Sequence, residues 1–280
     1  MTLKTLLSLR NNPRPLVMGI LNVTPDSFSD GGRHDAPDAA LSHARKLIAD
    51  GADVLDIGGE STRPGSDPVS AALETDRVAP VIEALAREWD GVISIDTMKP
   101  EVARVAVAAG ATVWNDVSAL QYAPDSLSTA AELGCEVILM HMRGNPKTMQ
   151  DAPSYADVVA EVCQDLSAQA MSALAAGVKP ENIWLDPGIG FAKNLDHNLA
   201  LTANLRAICD LGYPVLYAAS RKRMIGEIDP SATHASDRLG GTVALHLEGV
   251  CQGAAMVRVH DVREMVQALK VQAAINGARA

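Results

Sequence analysis

The chain is poor in aromatic residues, which make up 3% of its 280 positions as three Trp, four Tyr and two Phe. A core built from it must therefore be mostly Val, Ile, Leu and Ala. Cysteine is equally sparse. Cys135, Cys163, Cys209 and Cys251 are scattered with no Cys-x-x-Cys pair, so neither a disulfide scaffold nor a thiolate metal site is expected, and a reducing, cytoplasmic setting is. Positive charge is in deficit. A formal charge of −10 argues against a binder of nucleic-acid backbone, which needs a basic face, though not against a small anion held by a few local cations. No apolar run approaches the roughly 20 residues of a membrane span. The N-terminus carries Lys4 and Arg10 but no apolar segment with a small-residue cleavage site, so no signal peptide is expected. Linkers, low-complexity blocks and long charge runs are absent too, and one domain over 1–280 is the expectation.

What is there is a repeated strand-then-helix pattern. Short apolar runs at Leu16–Leu21, Asp53–Ile57, Val92–Ile95, Thr112–Asn115, Val137–Met140, Ile183–Asp186, Val215–Ala218 and Ala255–Val259 read as parallel strands covered on both faces. Between them lie helical stripes. Val78, Val81, Ile82 and Leu85 fall at i, i+3, i+4 and i+7, and Val159, Cys163, Leu166, Ala170 and Leu174 continue such a stripe over about four turns. Gly51, Gly110, Gly134, Gly177 and Gly212 stand where helix C-caps belong. Eight strand–helix pairs are the count of a closed (β/α)8 TIM barrel, with long loops after the first and second strands. A doubly wound open sheet is the alternative, but no Gly-rich dinucleotide fingerprint follows the first strand.

Several apolar runs end in a polar residue: Asp96, Asn115 and Asp186, with Lys222 shortly after the seventh strand and Arg258 closing the eighth. In such a barrel the strand C-termini form one mouth, so these groups share a pocket. Each alone has a plain reading. Asp96 and Asp186 suit helix N-caps, His141 a packed core histidine, and Ser220-Arg221-Lys222-Arg223 a solvated charge run. Taken together, carboxylates and an amide on one side and cations on the other suit a flat polar heterocycle carrying a phosphate or pyrophosphate. Arg258 and His260 share a direction in extended chain. Phe191, in a loop, offers a stacking surface. No Ser/His/Asp arrangement or His-rich metal cage is present.

The segments Met18–Gly32 (MGILNVTPDSFSDGG) and Asp56–Gly65 (DIGGESTRPG) resemble the two signatures of the bacterial dihydropteroate synthases, pterin-binding enzymes. So do Ser94–Thr97, Asn115–Val117, Met140–Met142 with Pro146, Met149 and Gln150, Asp186–Phe191, Ser220–Lys222 and Arg258–Asp261, all in order along the chain. The resemblance implies condensation of 6-hydroxymethyl-7,8-dihydropterin pyrophosphate with p-aminobenzoate, giving 7,8-dihydropteroate and pyrophosphate, with Mg²⁺ and a homodimer. By motif, Asp96, Asn115, Asp186 and Lys222 would hold the pterin, with Asp96, Lys222 and Arg63 central to catalysis. Asn22, Thr62, Arg63, Arg258 and His260 would handle the pyrophosphate and its metal, with Asn22 the direct ligand. Pro64, Phe191 and Ser220 would form the p-aminobenzoate site, where a sulfonamide competes. An SN1-like displacement under two closing loops is expected. Two positions depart from the family: Ala192 where Gly is frequent, and Ala218 where Gly is common. The rival readings are a pterin-dependent methyltransferase, which would not need the anion site, and a non-catalytic pterin-binding paralogue.

Overall fold

A computed structural model describes residues 1–8, 14–24, 36–60, 68–144, 149 and 153–279. In chain order the elements are α1 (Leu3–Ser8), β1 (Leu16–Asn22), α2 (Ala36–Ala49), β2 (Val54–Gly58), α3 (Ala71–Glu88), β3 (Val92–Asp96), α4 (Pro100–Ala109) and β4 (Val113–Asp116). There follow α5 (Ser126–Leu133), β5 (Glu136–Met140), α6 (Val158–Ala175), β6 (Ile183–Asp186), α7 (Leu195–Ala203), α8 (Leu205–Cys209), β7 (Leu216–Tyr217), α9 (Arg223–Ile228), α10 (Leu239–Cys251), β8 (Met256–Val259) and α11 (Val262–Gly277). The strands lie in the order β6-β5-β4-β3-β2-β1-β8-β7, and every pairing is parallel. A parallel bridge from Leu185 to Val215, with Leu185 N–H donating to Pro214 O at 3.0 Å, joins β6 to β7 and closes the ring. The expected (β/α)8 barrel is what forms.

Strand alternation sorts the core into two parts. Val17, Leu21, Leu55, Ile57, Ile93, Ile95, Val137 and Leu139 face outward and pack with the helices. Their neighbours Leu16, Met18, Val54, Val92, Val113, Ile138, Trp184, Leu216 and Met256 form a separate inner cluster, which fills the barrel floor. Leu3 of α1, fully buried, joins that cluster, and the Glu136 carboxylate accepts from the backbone N–H of Leu3 at 2.7 Å. The few aromatics are spent inside: Trp114, Trp184 and Tyr217 are among the largest fully buried side chains. Each such side chain contributes on the order of 2 kcal/mol by leaving water.

The outer stripes are nearly as the sequence indicates. On α3, Val78, Val81, Ile82 and Leu85 are all buried. On α6 the buried line runs through Val158, Val162, Leu166, Ala170 and Ala173, with Val159, Cys163 and Leu174 only flanking it. The periodicity was legible, and the rotation of the helix by one position is set by packing on β5. Strand seven is shorter than its apolar run. Val215 is a lone bridge residue and Ala218 lies past the strand end.

Two steps further along the same inward-facing rows the chemistry changes. Val54 is followed by Asp56, Val92 by Ser94 and Asp96, Val113 by Asn115, Trp184 by Asp186, and Met256 by Arg258 and His260. The barrel is therefore apolar at its floor and polar at its mouth.

Candidate active site

Asp56 is the hub of the mouth. It is fully buried; its Oδ1 accepts from Ser94 Oγ at 2.6 Å, and its Oδ2 accepts from Asn115 Nδ2 at 3.0 Å and from Arg258 Nε at 2.6 Å. The other edge of the Arg258 guanidinium donates through Nη2 to Asp96 Oδ2 at 2.7 Å. Arg258 thus bridges two carboxylates 40 positions apart in sequence, Asp56 and Asp96. Sequence reasoning aimed it at a phosphate; here its charge is matched inside the pocket. Asp56 was missed as a site residue, although a carboxylate inside a four-fifths apolar-or-glycine strand was the available signal: a buried charge must be paired.

Asp96 Oδ1 is different. It is buried and accepts no hydrogen bond among the described residues, an orphan acceptor waiting for a donor. Burial pushes the Asp96 pKa upward, the Arg258 guanidinium opposes this, and the carboxylates of Asp56, Glu74 and Asp116 add to it. Gly58 lies beside Asp96 and Asn22. A Cβ built on it would stand 3.7 Å from Asp96 Oδ2 and 3.8 Å from Asn22 Oδ1, so glycine leaves the space between these oxygens open.

Across the mouth, Asp186 is buried and its Oδ1 accepts from Gly188 N–H at 2.7 Å, so it caps a turn and not a helix, the N-cap of α7 being Asn194. Burial raises its pKa to about 6, against the pull of the Gly188 donor and of Lys222, Arg258 and Lys193. The turn that follows needs its glycines. At Gly188 (φ +67) a Cβ would lie 2.0 Å from His141 O, and at Gly190 (φ +80) it would lie 3.0 Å from Lys222 Cδ. Phe191 N–H closes the turn on Gly188 O at 3.0 Å, and Lys222 Nζ sits 4.2 Å from the Phe191 ring centroid. Burial lowers the Lys222 pKa to about 8. Of the basic cluster, then, only Lys222 serves the pocket; Arg221 pairs with Asp261 and Arg223 with Glu227. Ser220 and His260 meet, with Oγ and Nδ1 2.9 Å apart.

The structure thus brings together Asp96, Asn115, Asp186, Lys222 and Arg258, with Phe191, Ser220, His260 and Asn22 on the same mouth. Thr62, Arg63 and Pro64 lie outside the described residues, as do Pro146, Gln150 and the bulk of both long loops (25–35 and 61–67).

A sequence profile described as "Pterin binding enzyme" matches residues 18–260. The dihydropteroate synthase of Escherichia coli K12 is 49% identical over 257 residues, covering 92% of this chain and 90% of that protein. The chain belongs to the dihydropteroate synthases. That of Streptococcus pyogenes serotype M1 is likewise 49% identical, over 247 residues. Among solved structures, the Xanthomonas albilineans synthase with 4-aminobenzoic acid superposes with a TM-score of 0.89 at 49% identity, over 94% of this chain and 93% of that one. A structure of the same synthase with 7,8-dihydropteroate gives 0.86 at 46% identity. The family's transfer of a pterinylmethyl group to an arylamine is this enzyme's reaction: 6-hydroxymethyl-7,8-dihydropterin pyrophosphate and p-aminobenzoate give 7,8-dihydropteroate and pyrophosphate. A methyltransferase is set aside by these likenesses.

Proposed function

We propose that the enzyme performs this condensation by ionising the pterin pyrophosphate in the Asp96–Asn115–Asp186–Lys222 mouth before the amine attacks. The observation that carries the reading is the orphaned Asp96 Oδ1, which an N–H of the pterin's guanidine-like edge would satisfy. Asp186 would accept from the same ring system, and Asn115, its Nδ2 already given to Asp56, keeps its carbonyl oxygen as acceptor. As the C–O bond to pyrophosphate breaks, the electron-rich dihydropterin would carry the positive charge at its methylene carbon. The carboxylate of Asp96 favours that charge electrostatically. The arylamine is already neutral near pH 7, so no strong base is needed; after C–N bond formation the ammonium proton leaves to water. Phe191 and Ser220 would border the arylamine, and His260 and Arg258 the leaving group.

The residues present fit a Mg²⁺ ion shared with the substrate. Asn22 offers a hard amide oxygen beside the gap at Gly58, and among the described residues no group of three or more His, Cys, Asp or Glu stands ready to hold a metal by protein alone. That matches an ion that keeps waters and substrate phosphates in its shell. When bound, it supplies neutralisation of the charge on the departing pyrophosphate.

Pyrophosphate release, followed with and without p-aminobenzoate and Mg²⁺, tests the reading. Release that tracks dihydropteroate formation, needs Mg²⁺ and collapses in Lys222→Ala is expected. A folded wild-type protein that binds pterin without turnover would point instead to the non-catalytic paralogue. Positional isotope scrambling in recovered substrate separates ionisation from direct displacement. The Yersinia pestis relative has been solved with a sulfonamide drug, and competition of sulfonamides with p-aminobenzoate is proposed here as well.

A homodimer is proposed through α10 and α11, whose shared groove is lined by Val243, Leu247, Cys251, Val271 and Ile275, the last two being 55% and 50% exposed. Its four free cysteines suit a cytoplasmic setting, and no helix among the described residues is long and apolar enough to cross a membrane.

A further inference from the structure

The N–H groups of the turn that carries Phe191 are held from nearby, Gly188 by Asp186, Gly190 by Asn198 Oδ1 at 2.7 Å and Phe191 by Gly188 O, but its carbonyls at Phe191 and Ala192 need donors from elsewhere. Gly188, Gly190 and Ala192 all have positive φ, at 67°, 80° and 48°, and such a backbone forms neither helix nor ladder bonds. The Phe191 carbonyl is held by a buried ammonium. Lys193 is 3% exposed, and its Nζ lies 3.0 Å from Phe191 O, 2.9 Å from His141 Nδ1 and 3.4 Å from His141 O. An ammonium has three donors and no acceptor, so all three are used. Because His141 Nδ1 accepts from Lys193, its Nε2 carries the proton and donates to Asp165 Oδ2 at 3.1 Å. Asp165 in turn accepts from Arg143 Nε and Nη2 at 3.1 and 2.8 Å. Arg143 stacks 4.5 Å from the Tyr155 ring centroid, and the Tyr155 hydroxyl donates to Ala192 O at 3.0 Å. The carbonyls of Phe191 and Ala192 are thus both pinned by one cluster from β5, α6 and the loop before it.

We propose that Lys193 is a positioning residue for the acceptor substrate: its ammonium locks the turn that sets the Phe191 ring against Lys222, and so governs how tightly p-aminobenzoate binds. This rests on the proposed placement of the arylamine at Phe191. No other described lysine takes Phe191 O, and Lys193 reaches none of the pterin-side oxygens by hydrogen bond.

The charge state of Lys193 follows from its surroundings. Burial lowers its pKa to about 7; Asp186 and Asp165 raise it, while Lys222 and Arg143 lower it further. His141 stays neutral, its own pKa pushed down to about 4 by burial. With a depressed pKa, the ammonium is complete below about 7 and is lost as pH rises through that value. A neutral amine brings two N–H groups to three acceptors, and the turn loses a bond.

The test is steady-state kinetics of Lys193→Met beside wild type from pH 5.5 to 8.5, varying each substrate in turn. The expected result is a KM for p-aminobenzoate raised roughly tenfold, as for one lost hydrogen bond to a charged donor, with kcat and the KM for pterin pyrophosphate within about threefold. The wild-type rise of that KM above about pH 7 should vanish in the variant. Equal increases for both substrates, or a fall in kcat alone, would overturn the proposal. Should the variant not fold, amide exchange of residues 188–192 in the wild-type protein decides. Opening that grows through neutral pH faster than hydroxide catalysis supports the lock, and opening that merely follows it refutes the lock. Absence of wild-type turnover would sink the synthase reading, while the exchange arm, needing no substrate, would still judge Lys193.

Discussion

Replacing Asp56 by Asn keeps its volume and inverts its chemistry. One oxygen can still accept from Ser94, but the other becomes an NH₂ facing two donors, Arg258 Nε at 2.6 Å and Asn115 Nδ2 at 3.0 Å in the wild type. The guanidinium keeps Asp96, so one of its two carboxylate partners is lost, and while Asp56 is fully buried the Arg258 side chain, 20% exposed, regains only part of that loss from water. Breaking a buried, hydrogen-bonded ion pair costs about 3–5 kcal/mol, and a chain of this size loses roughly 2–3 °C of Tm per kcal/mol. Urea unfolding should therefore report a loss of about 3–5 kcal/mol, and calorimetry a Tm lower by on the order of 10 °C. Because Asn115 and Arg258 lose their common anchor, kcat/KM should fall roughly 10²-fold, as for other displaced site groups. A double-mutant cycle with Arg258→Met isolates the pair, with an expected coupling of about 2 kcal/mol. A single-mutant loss below about 1 kcal/mol with unchanged kcat/KM would refute the hub, since that is the range of an ordinary exposed pair.

Ala192 sits at φ +48°, where an L-residue with a Cβ is strained by about 1–2 kcal/mol. Ala192→Gly should stabilise the protein by about 0.5–1 kcal/mol in urea titration, after the entropy cost of glycine, whereas Ala218→Gly should not stabilise, since Ala218 has no positive φ. Pterin binding requires ionised carboxylates, and Asp186 has a pKa raised to about 6. Asp186 is neutral below that value, and burial raises the Asp96 carboxyl as well, to about 7, so the affinity for a pyrophosphate-free dihydropterin should be full only above about pH 8 and fall through about 7 to 6; a flat calorimetric profile from pH 5 to 8 would contradict the role. Substituting any side chain at Gly190 drives it into the Lys222 stem, so Gly190→Ala should raise the KM of both substrates while Gly212→Ala, with nothing within 4 Å, leaves them unchanged. If α10 and α11 form the dimer face, Val271→Glu with Ile275→Glu should give a monomer in sedimentation equilibrium, and an unchanged mass would exclude that face.

Much of the barrel was legible because its signals are local. Each apolar run of four to six residues is a strand or nearly one, and a polar terminus marks the mouth, as at Asp96, Asn115 and Asp186. On α6, Leu166 and Ala170 were read correctly, but Val159, Cys163 and Leu174 stand one position off the buried Val158, Val162 and Ala173, because period alone does not say which of two adjacent lines meets the sheet. Arg258, read as an anion ligand, also bridges Asp56 and Asp96, a pairing that its place in the sequence does not announce. Lys193 and His141 drew no role, since nothing in their neighbourhoods along the chain reveals that β5 and the turn after β6 converge. By itself the sequence determined the eight strands, the strand–helix alternation of the barrel and the family, all of which depend on residue type and spacing within a few positions. Only the tertiary structure decided which charges neutralise one another, because a pairing such as Asp56 with Arg258, 202 positions apart, exists only once the barrel has closed and water has left.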